Sequence, residues 1–383
     1  IVAVALSGKA SVRLAEATGI DAKTIHRALE YNNGAFLFNR NNKLEADVVI
    51  IDEATMINGS LFLSLLEAIP SGAKVIIMGD IQQLTPIGNC HVFADILNSN
   101  IIPSVRLTEI HRQAMRSGII PTSIKVAKQE QLFDKDYTGN QIVGELLDME
   151  LDIHSKNDEV FDAVIKKFKT EFLKTNNIFE TQIICPMKNR GLLNCYSINT
   201  EIQKMVNPIK DGKFIEVPCG KKHDGTEGTE DIKLVYKIGV GDKVINTKNN
   251  YSALDPNGDS APIFNGNIGI VTSIDEDACV VDFVGIGEVA LSHKETNSLE
   301  LAYAITIHKS QGSGFDNVIV AIDDESNGLL NNAEILYTAI TRAKKYCTLI
   351  ATNNAVRTSI RSKETVVKQT FLPDFFNKKY SID

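Results

Sequence analysis

The chain has 383 residues, 43% of them hydrophobic and 23% charged, and carries a net charge of −8. That length suits two or three domains with cores of their own, and the balance is ordinary for a globular protein and argues against a wholly basic nucleic-acid coat, although a local basic groove suffices to bind phosphates. Six cysteines with no CxxC spacing exclude a zinc site or disulfide frame and point to a reducing, cytoplasmic setting, while no apolar run nears the ~20 residues of a membrane span.

Residues 1–6 read as a strand. Ser7-Gly8-Lys9-Ala10-Ser11 follows as a polar loop, and residues 12–18 have helical spacing. Strand, Gly-Lys and helix invite a phosphate-binding-loop reading, but that motif requires a glycine five residues before the Gly-Lys pair and Ser or Thr after it. Ala3 and Ala10 stand in those places, so Lys9 is rejected as an ATP lysine. The loop at 7–11 can still meet a phosphate backbone through its N–H groups, or be a plain strand-to-helix turn. Residues 24–29 predict a short helix. Residues 35–38 and 43–45, around Asn39-Arg40-Asn41-Asn42, predict a small hairpin.

Val48-Val49-Ile50-Ile51 reads as a strand buried on both faces, and Asp52-Glu53 ends it. Carboxylates at the carboxyl end of a parallel strand suit Mg²⁺ binding by the first acid and water activation by the second, as in nucleotide hydrolases. The plain alternative is Asp52 capping the next helix. A helix over 61–69, closed by Pro70-Ser71-Gly72, leads to another buried strand at 74–78. Gly79-Asp80-Ile81-Gln82-Gln83-Leu84 follows, with a glutamine able to hydrogen-bond a γ-phosphate or its attacking water. Repeated strand–loop–helix units predict a doubly wound α/β domain.

Beyond residue 107, Arg112 is a cation for a phosphate or a surface arginine. Residues 120–175 read as helical with a break near 137–140, and residues 181–185 open a second α/β unit. Residues 207–233, rich in Gly, Lys and Asp, read as a long loop. Residues 240–293 read as short strands with turns, a small all-β barrel. The α/β pattern resumes with a strand over 301–307, the cluster His308-Lys309-Ser310-Gln311-Gly312-Ser313, a strand at 318–322, a helix over 336–345 carrying Arg342, and a strand at 348–351.

Together and in this order the segments resemble superfamily 1 helicases of the RecD-like group. Residues 5–14 with Thr24-Ile25-His26-Arg27 are similar to motif Ia, Asp52-Glu53-Ala54 to motif II, and residues 79–84 to motif III. Arg112-Gln113 is similar to motif IV, residues 304–313 to motif V and residues 337–343 to motif VI. The resemblance implies two RecA-like domains gripping single-stranded DNA, with ATP between them. It implies Asp52 on Mg²⁺, Glu53 as the base for water, Gln83 as γ-phosphate sensor, and Arg112 and Arg342 as cationic clamps. It places Ser7, Gly8, Lys9 and His26, with His308, Lys309, Ser310 and Gln311, on the DNA strand. It makes the hairpin a strand-splitting pin and the barrel an accessory domain of enzymes moving 5′ to 3′. Single-strand/duplex junctions and partner subunits of a repair complex go with it; a membrane does not.

Two departures stand out. The phosphate-binding loop of the family is expected just before the strand that opens this chain, in a longer parent. Gly314 stands where the family usually has a glutamate near the nucleotide sugar.

The expectation is therefore an α/β chain of two RecA-like parallel-sheet domains, residues 1–107 and residues 108–239 with 296–383. The hairpin lies at about 30–47 and the barrel at 240–295. The expected function is an ATP-dependent 5′-to-3′ DNA helicase or translocase core with an incomplete ATP site. An ATPase-dead nucleic-acid-binding module and an RNA helicase of the same superfamily are the alternatives.

Overall fold

The computed structural model describes residues 1–32, 34–85, 90–107, 115–209, 213–222, 232–325 and 332–362, with residues 372, 374, 375 and 378. The chain divides into two compact units, Ile1–His111 with Glu364–Asp383, and Arg112–Lys363.

The first unit runs β1 (Val2–Ala5), α1 (Gly8–Thr18), β2 (Ala22–Thr24), α2 (Ile25–Ala28), β3 (Tyr31–Asn32), β4 (Ala35–Phe36) and β5 (Val48–Asp52). A 3-10 turn (Ala54–Met56), α3 (Gly59–Ala68), β6 (Lys74–Ile77) and α4 (Val92–Ser99) complete it. The strands β2-β1-β5-β6 form a sheet in that order, every pair parallel. Val4, Ile25, Leu29, Val49, Ile51, Phe62 and Leu65 pack into its core. Burying each of the larger side chains contributes about 1.5–3 kcal/mol. Asn58 starts α3 by accepting the Leu61 amide at 3.0 Å, which satisfies one of the donors that a helix start leaves open.

The two strands expected to be fully buried are not. In β5, Val49 and Ile51 are buried while Val48 and Ile50 are half-buried, and in β6 Ile76 is exposed. Four apolar residues in a row do not tell an edge-proximal strand from a central one. The hairpin also differs. Tyr31 pairs with Phe36 and Asn32 with Ala35, so residues 35–36 are its second strand. Asn33-Gly34 is the sequence signal for a two-residue hairpin turn. Residues 39–42 instead form a turn around the Asn39 side chain, which accepts the Asn41 amide at 2.9 Å.

The second unit runs α5 (Ile119–Ala127), β7 (Gly139–Val143), β8 (Met149–His154), α6 (Asn157–Thr175), β9 (Thr181–Cys185), α7 (Cys195–Val206), β10 (Phe214–Lys222) and β11 (Ile232–Gly239). It continues with β12 (Lys243–Asn246), β13 (Ile268–Ile274), β14 (Ala278–Phe283), β15 (Gly287–Ser292), β16 (Leu299–Leu301) and β17 (Ala304–Thr306). Last come α8 (Ile307–Ser310), β18 (Phe315–Ile322), α9 (Ala333–Ile340), β19 (Ala343–Thr352) and α10 (Asn353–Arg361). A six-stranded sheet has the order β17-β9-β18-β19-β8-β7, parallel except for β7. A five-stranded antiparallel sheet, β15-β14-β13-β12-β16, follows the expected all-β stretch and takes in β16 as well. The buried core is continuous from one sheet to the other, from Ile183 and Ile319 to Val281 and Leu291. Two parallel sheets with a small antiparallel one bear out the expected α/β class.

Three expectations fail here. Residues 139–143 and 149–154 are strands, not helix. Met149, Leu151 and Ile153 are buried at period 2, and the buried Glu150 that breaks an apolar reading is held by Asn140, Lys167, Tyr346 and Thr348. The expected loop at 207–233 contains the whole of β10 and the start of β11. Ile215, Val217 and Cys219 on β10, with Leu234, Tyr236 and Ile238 on β11, are buried at alternate positions, a pattern obscured by Pro218 within β10 and by the polar residues that surround the two strands in the sequence. The helix expected over 336–345 stops at Ile340, and Ala343 begins β19 beside Phe315. Sheet pairing there overrides the helix propensity of Ala-Lys-Lys.

Candidate functional site

Asp52 and Glu53 leave the carboxyl end of β5, and the segment after β6 leaves the neighbouring strand at the same edge, since Ile51 pairs with Ile77. The Met78 carbonyl accepts the Ala54 amide at 2.9 Å and locks the two exits together. Asp52 caps no helix. Its Oδ1 accepts the Glu53 amide at 2.8 Å. Glu53 adopts φ 51° in the left-handed region, a conformation that costs a non-glycine residue about 1–2 kcal/mol and turns its side chain away from the strand path. One half-buried carboxylate at a strand end fits Mg²⁺, which takes one or two carboxylates and completes its shell with water and nucleotide phosphates.

Gln83 is held at that edge by Asp80. The Asp80 Oδ1 accepts the Gln82 amide at 3.0 Å, its carbonyl accepts the Gln83 amide at 3.0 Å, and Gln83 Nε2 reaches Oδ2 at 3.4 Å. Gly79 sits where the two segments cross. A Cβ there would lie 2.6 Å from Thr55 Oγ1 and 2.9 Å from Phe93 Cε1, so only glycine lets the glutamine-bearing segment pass the turn after Glu53. The structure thus brings Asp52, Glu53 and Gln83 to one sheet edge of the first unit.

Ser7, Gly8 and Lys9 are not in a loop. Ser7 is the N-cap of α1, its Oγ accepting the Ala10 amide at 3.2 Å, and Gly8 and Lys9 form the first turn. Burial, with the Arg13 charge adding to it, lowers the Lys9 pKa to about 8. His26 lies one residue into α2. Its ring is 5.6 Å from that of Tyr31 and 5.8 Å from that of Phe36, with those two 4.9 Å apart. Partial burial lowers its pKa. The β3–β4 hairpin therefore carries its aromatic residues beside His26.

In the second unit, His308, Lys309, Ser310 and Gln311 follow β17. Ser310 is fully buried and donates to the Ile307 carbonyl at 2.7 Å, so it shapes the turn from within, while His308, Lys309 and Gln311 are half-buried. Lys309 Nζ lies 2.6 Å from Glu300 Oε2, and Glu300 Oε1 takes Lys188 at 2.9 Å. Arg342 is only 6% exposed. It donates through Nε to the Thr338 carbonyl at 3.1 Å and through Nη1 to the Ser313 carbonyl at 3.2 Å, tying α9 to the 308–313 segment. Arg112 lies outside the described residues.

The two units share a step that single residues did not reveal. Thr24-Ile25-His26-Arg27 and Thr306-Ile307-His308-Lys309 each end a parallel strand and start a short helix. In each the isoleucine is fully buried, and the threonine hydroxyl accepts the amide three residues on, at 3.3 Å both times. The repeated Thr-Ile-His-basic tetrad was visible in the sequence as an internal match.

Comparison with known proteins agrees. A family model described as an AAA domain matches residues 1–137, and one described as a UvrD-like helicase C-terminal domain matches residues 301–350. Over 88% of its length the chain is 30% identical to the ATP-dependent RecD2 DNA helicase of Deinococcus radiodurans. Over 94% of its length it is 27% identical to the RecBCD enzyme subunit RecD of Mycobacterium tuberculosis. The resemblance to RecD-like superfamily 1 helicases is borne out. The chain spans 41% and 62% of the lengths of these two RecD-like relatives. A Bacteroides Pif1 helicase solved with ADP-AlF3 and ssDNA shares the fold, with a TM-score of 0.53 and 17% identity over 99% of this chain and 87% of that one. Among the described residues, no helix is long and apolar enough to cross a membrane.

Proposed function

We propose that this chain is the core of an ATP-dependent DNA helicase that moves 5′ to 3′ and grips single-stranded DNA through its backbone. The observation that carries the reading is the Thr-capped step found in both units, which sets His26-Arg27 and His308-Lys309 at the carboxyl ends of parallel strands, where open α/β sheets bind ligands. Backbone contacts of this kind are sequence-tolerant and suit a protein that must step along any strand.

In the first unit Asp52 would hold the Mg²⁺ of a nucleotide, an ion that neutralises charge on the β- and γ-phosphates. Glu53 would take the proton of the attacking water, and Gln83 would hydrogen-bond the γ-phosphate. In the second unit Arg342 would stabilise the phosphoryl charge, and Arg112 is assigned the same part from its motif. Direction rests on the likeness to RecD-like enzymes. A partner subunit and action at single-strand/duplex junctions belong to the same proposal, since one relative is named as a subunit of the RecBCD enzyme.

The test is fluorescence anisotropy with labelled single-stranded and duplex oligonucleotides across a salt series. Single strands of unrelated sequence should bind alike, with log K falling by about 0.7 per phosphate contact for each unit of log[salt]. Binding that prefers duplex, or ignores salt, overturns the reading. The 383-residue sequence contains no GxxxxGK[ST]. Phosphate release by this chain should therefore stay at background with or without DNA, because positioned β- and γ-phosphates are a precondition for catalysis by Glu53.

A further inference from the structure

Lys188, Glu300 and Lys309 come from three elements and meet at one point. Lys188 lies three residues past Cys185 at the end of β9, and Lys309 three residues past Thr306 at the end of β17; Cys185 and Thr306 are paired neighbours in the sheet. Two ammonium groups thus stand side by side at the carboxyl edge of the parallel sheet. Glu300 reaches them from the other sheet. On β16 the flanking Leu299 and Leu301 are buried and Glu300 faces the opposite way.

The backbone around Lys188 is fixed. Its carbonyl accepts the Tyr196 amide and the Met187 carbonyl accepts that of Cys195, each at 3.0 Å. The next residue, Asn189, presses so close on Gly220 that a Cβ there would meet its Nδ2 at 2.7 Å. Lys309 is fixed in turn by its amide on Thr306 Oγ1. The carboxylate gives one oxygen to each lysine, at 2.9 and 2.6 Å, and is 16% exposed against 44% and 24% for the lysine side chains. Each ammonium has three donors, and a carboxylate bridging two of them occupies the place a phosphate diester would take.

We propose that Glu300 is a built-in competitor for nucleic-acid phosphates. It holds Lys188 and Lys309 while no strand is present and yields them to backbone phosphates when single-stranded DNA binds. The idea rests on the single-strand reading above and deepens it: Lys188 becomes a strand contact, and Glu300 a residue that keeps the grip weak enough to release. Trading lysine–carboxylate pairs for lysine–phosphate pairs keeps both lysines paired at either stage, and the cost of releasing the Glu300 carboxylate keeps the affinity low.

The experiment measures single-strand affinity at low salt for the unmodified chain, Glu300→Gln, Lys188→Gln and the double variant. Glu300→Gln should tighten binding about 3- to 30-fold, the range for giving up two partly exposed ion pairs. Lys188→Gln should weaken binding less in the unmodified chain than in the Glu300→Gln background, because only there is the lysine already released. Such coupling between neighbours is what a double-mutant cycle reads. Unchanged or weaker binding by Glu300→Gln overturns the proposal. So does an equal loss from Lys188→Gln in both backgrounds, which would leave Glu300 as a general repulsive charge. An unmodified chain that binds no single strand overturns this proposal and the functional reading together; salt-sensitive binding with no Glu300 effect overturns this one alone. A measurement that alters neither Glu300 nor the fold is the lysine ¹⁵Nζ spectrum of the unmodified chain. The Lys188 and Lys309 signals should move on adding oligonucleotide, and unmoved signals also refute the exchange.

Discussion

Thr24 and Thr306 make the same hydrogen bond in different units: each hydroxyl accepts the amide three residues on, from Arg27 and from Lys309, at 3.3 Å. One sequence device thus sets a histidine and a basic residue at a strand end twice in one chain. Replacing either threonine by alanine should cost about 0.5–2 kcal/mol of local stability and weaken single-strand binding, while serine should keep most of both. Hydrogen exchange over α2 and α8, with anisotropy alongside, reads the two effects separately. Alanine variants with full affinity would make the steps purely structural.

Gly79 is set by a close approach, and its φ is not positive. With Thr55 Oγ1 at 2.6 Å and Phe93 Cε1 at 2.9 Å from a would-be Cβ, Gly79→Ala should destabilise the first unit by about 1–3 kcal/mol, the usual penalty for overpacking. Thr55→Ala in the same chain should recover part of the loss. Faster amide exchange in the Ala54–Met56 turn is the measurement; an alanine variant with unchanged protection would mean the crossing is looser than described.

Glu53 holds a left-handed backbone that glycine would adopt freely. Glu53→Gly should therefore leave the first unit as stable as before, or stabilise it by up to about 1 kcal/mol. Strain at this position fits a side chain kept for chemistry at the expense of stability. Amide exchange in β5 and β6 tests this, and a clear loss of protection would show that the Glu53 side chain is needed by the fold itself.

Lys9 titrates near pH 8 because burial disfavours its charge and Arg13 adds to that. Its folded pKa is depressed below the unfolded one, so the folded state binds fewer protons between about 8 and 10.5, and stability rises with pH across that window. The penalty of charging Lys9 is fully present below about pH 8. A phosphate beside it favours the charged form, so binding should take up a proton and affinity should fall as pH climbs past 8. Anisotropy at pH 7 and 9.5 should show that fall in the unmodified chain and a smaller one in Lys9→Met. An equal pH dependence in both would remove Lys9 from the strand.

Much of this was legible in the residues. Asp52-Glu53, Gln83 and the 304–313 segment stood out because acids, amides and small polar residues at strand ends have few structural uses. What stayed hidden depended on distant partners. Nothing local to Gly79 announces Thr55, and nothing around Glu300 announces two lysines from the segments that follow β9 and β17. The strands at 139–143 and 149–154 do not show in the sequence because Glu150, which breaks the apolar pattern, is buried among four hydrogen-bonding partners supplied by β7, α6 and β19. Two turn signals, Asn33-Gly34 and Asn39–Asn42, stand six residues apart in the sequence, and only the pairing of Tyr31 with Phe36 tells which one the hairpin uses. Arg342 read as a surface arginine or a phosphate clamp, and its fold-back onto the Ser313 carbonyl is invisible in any linear pattern.

The central claim is that both units contact the backbone of single-stranded DNA through their Thr-capped steps. Hydrogen–deuterium exchange of the unmodified chain, with and without a saturating dT oligonucleotide, tests it most directly. The account predicts slowed exchange in two separate segments, residues 24–28 and residues 306–311, with the small antiparallel sheet core at Val281 and Phe283 unchanged. Slowed exchange in neither segment, or in only one of them at saturation, would contradict it.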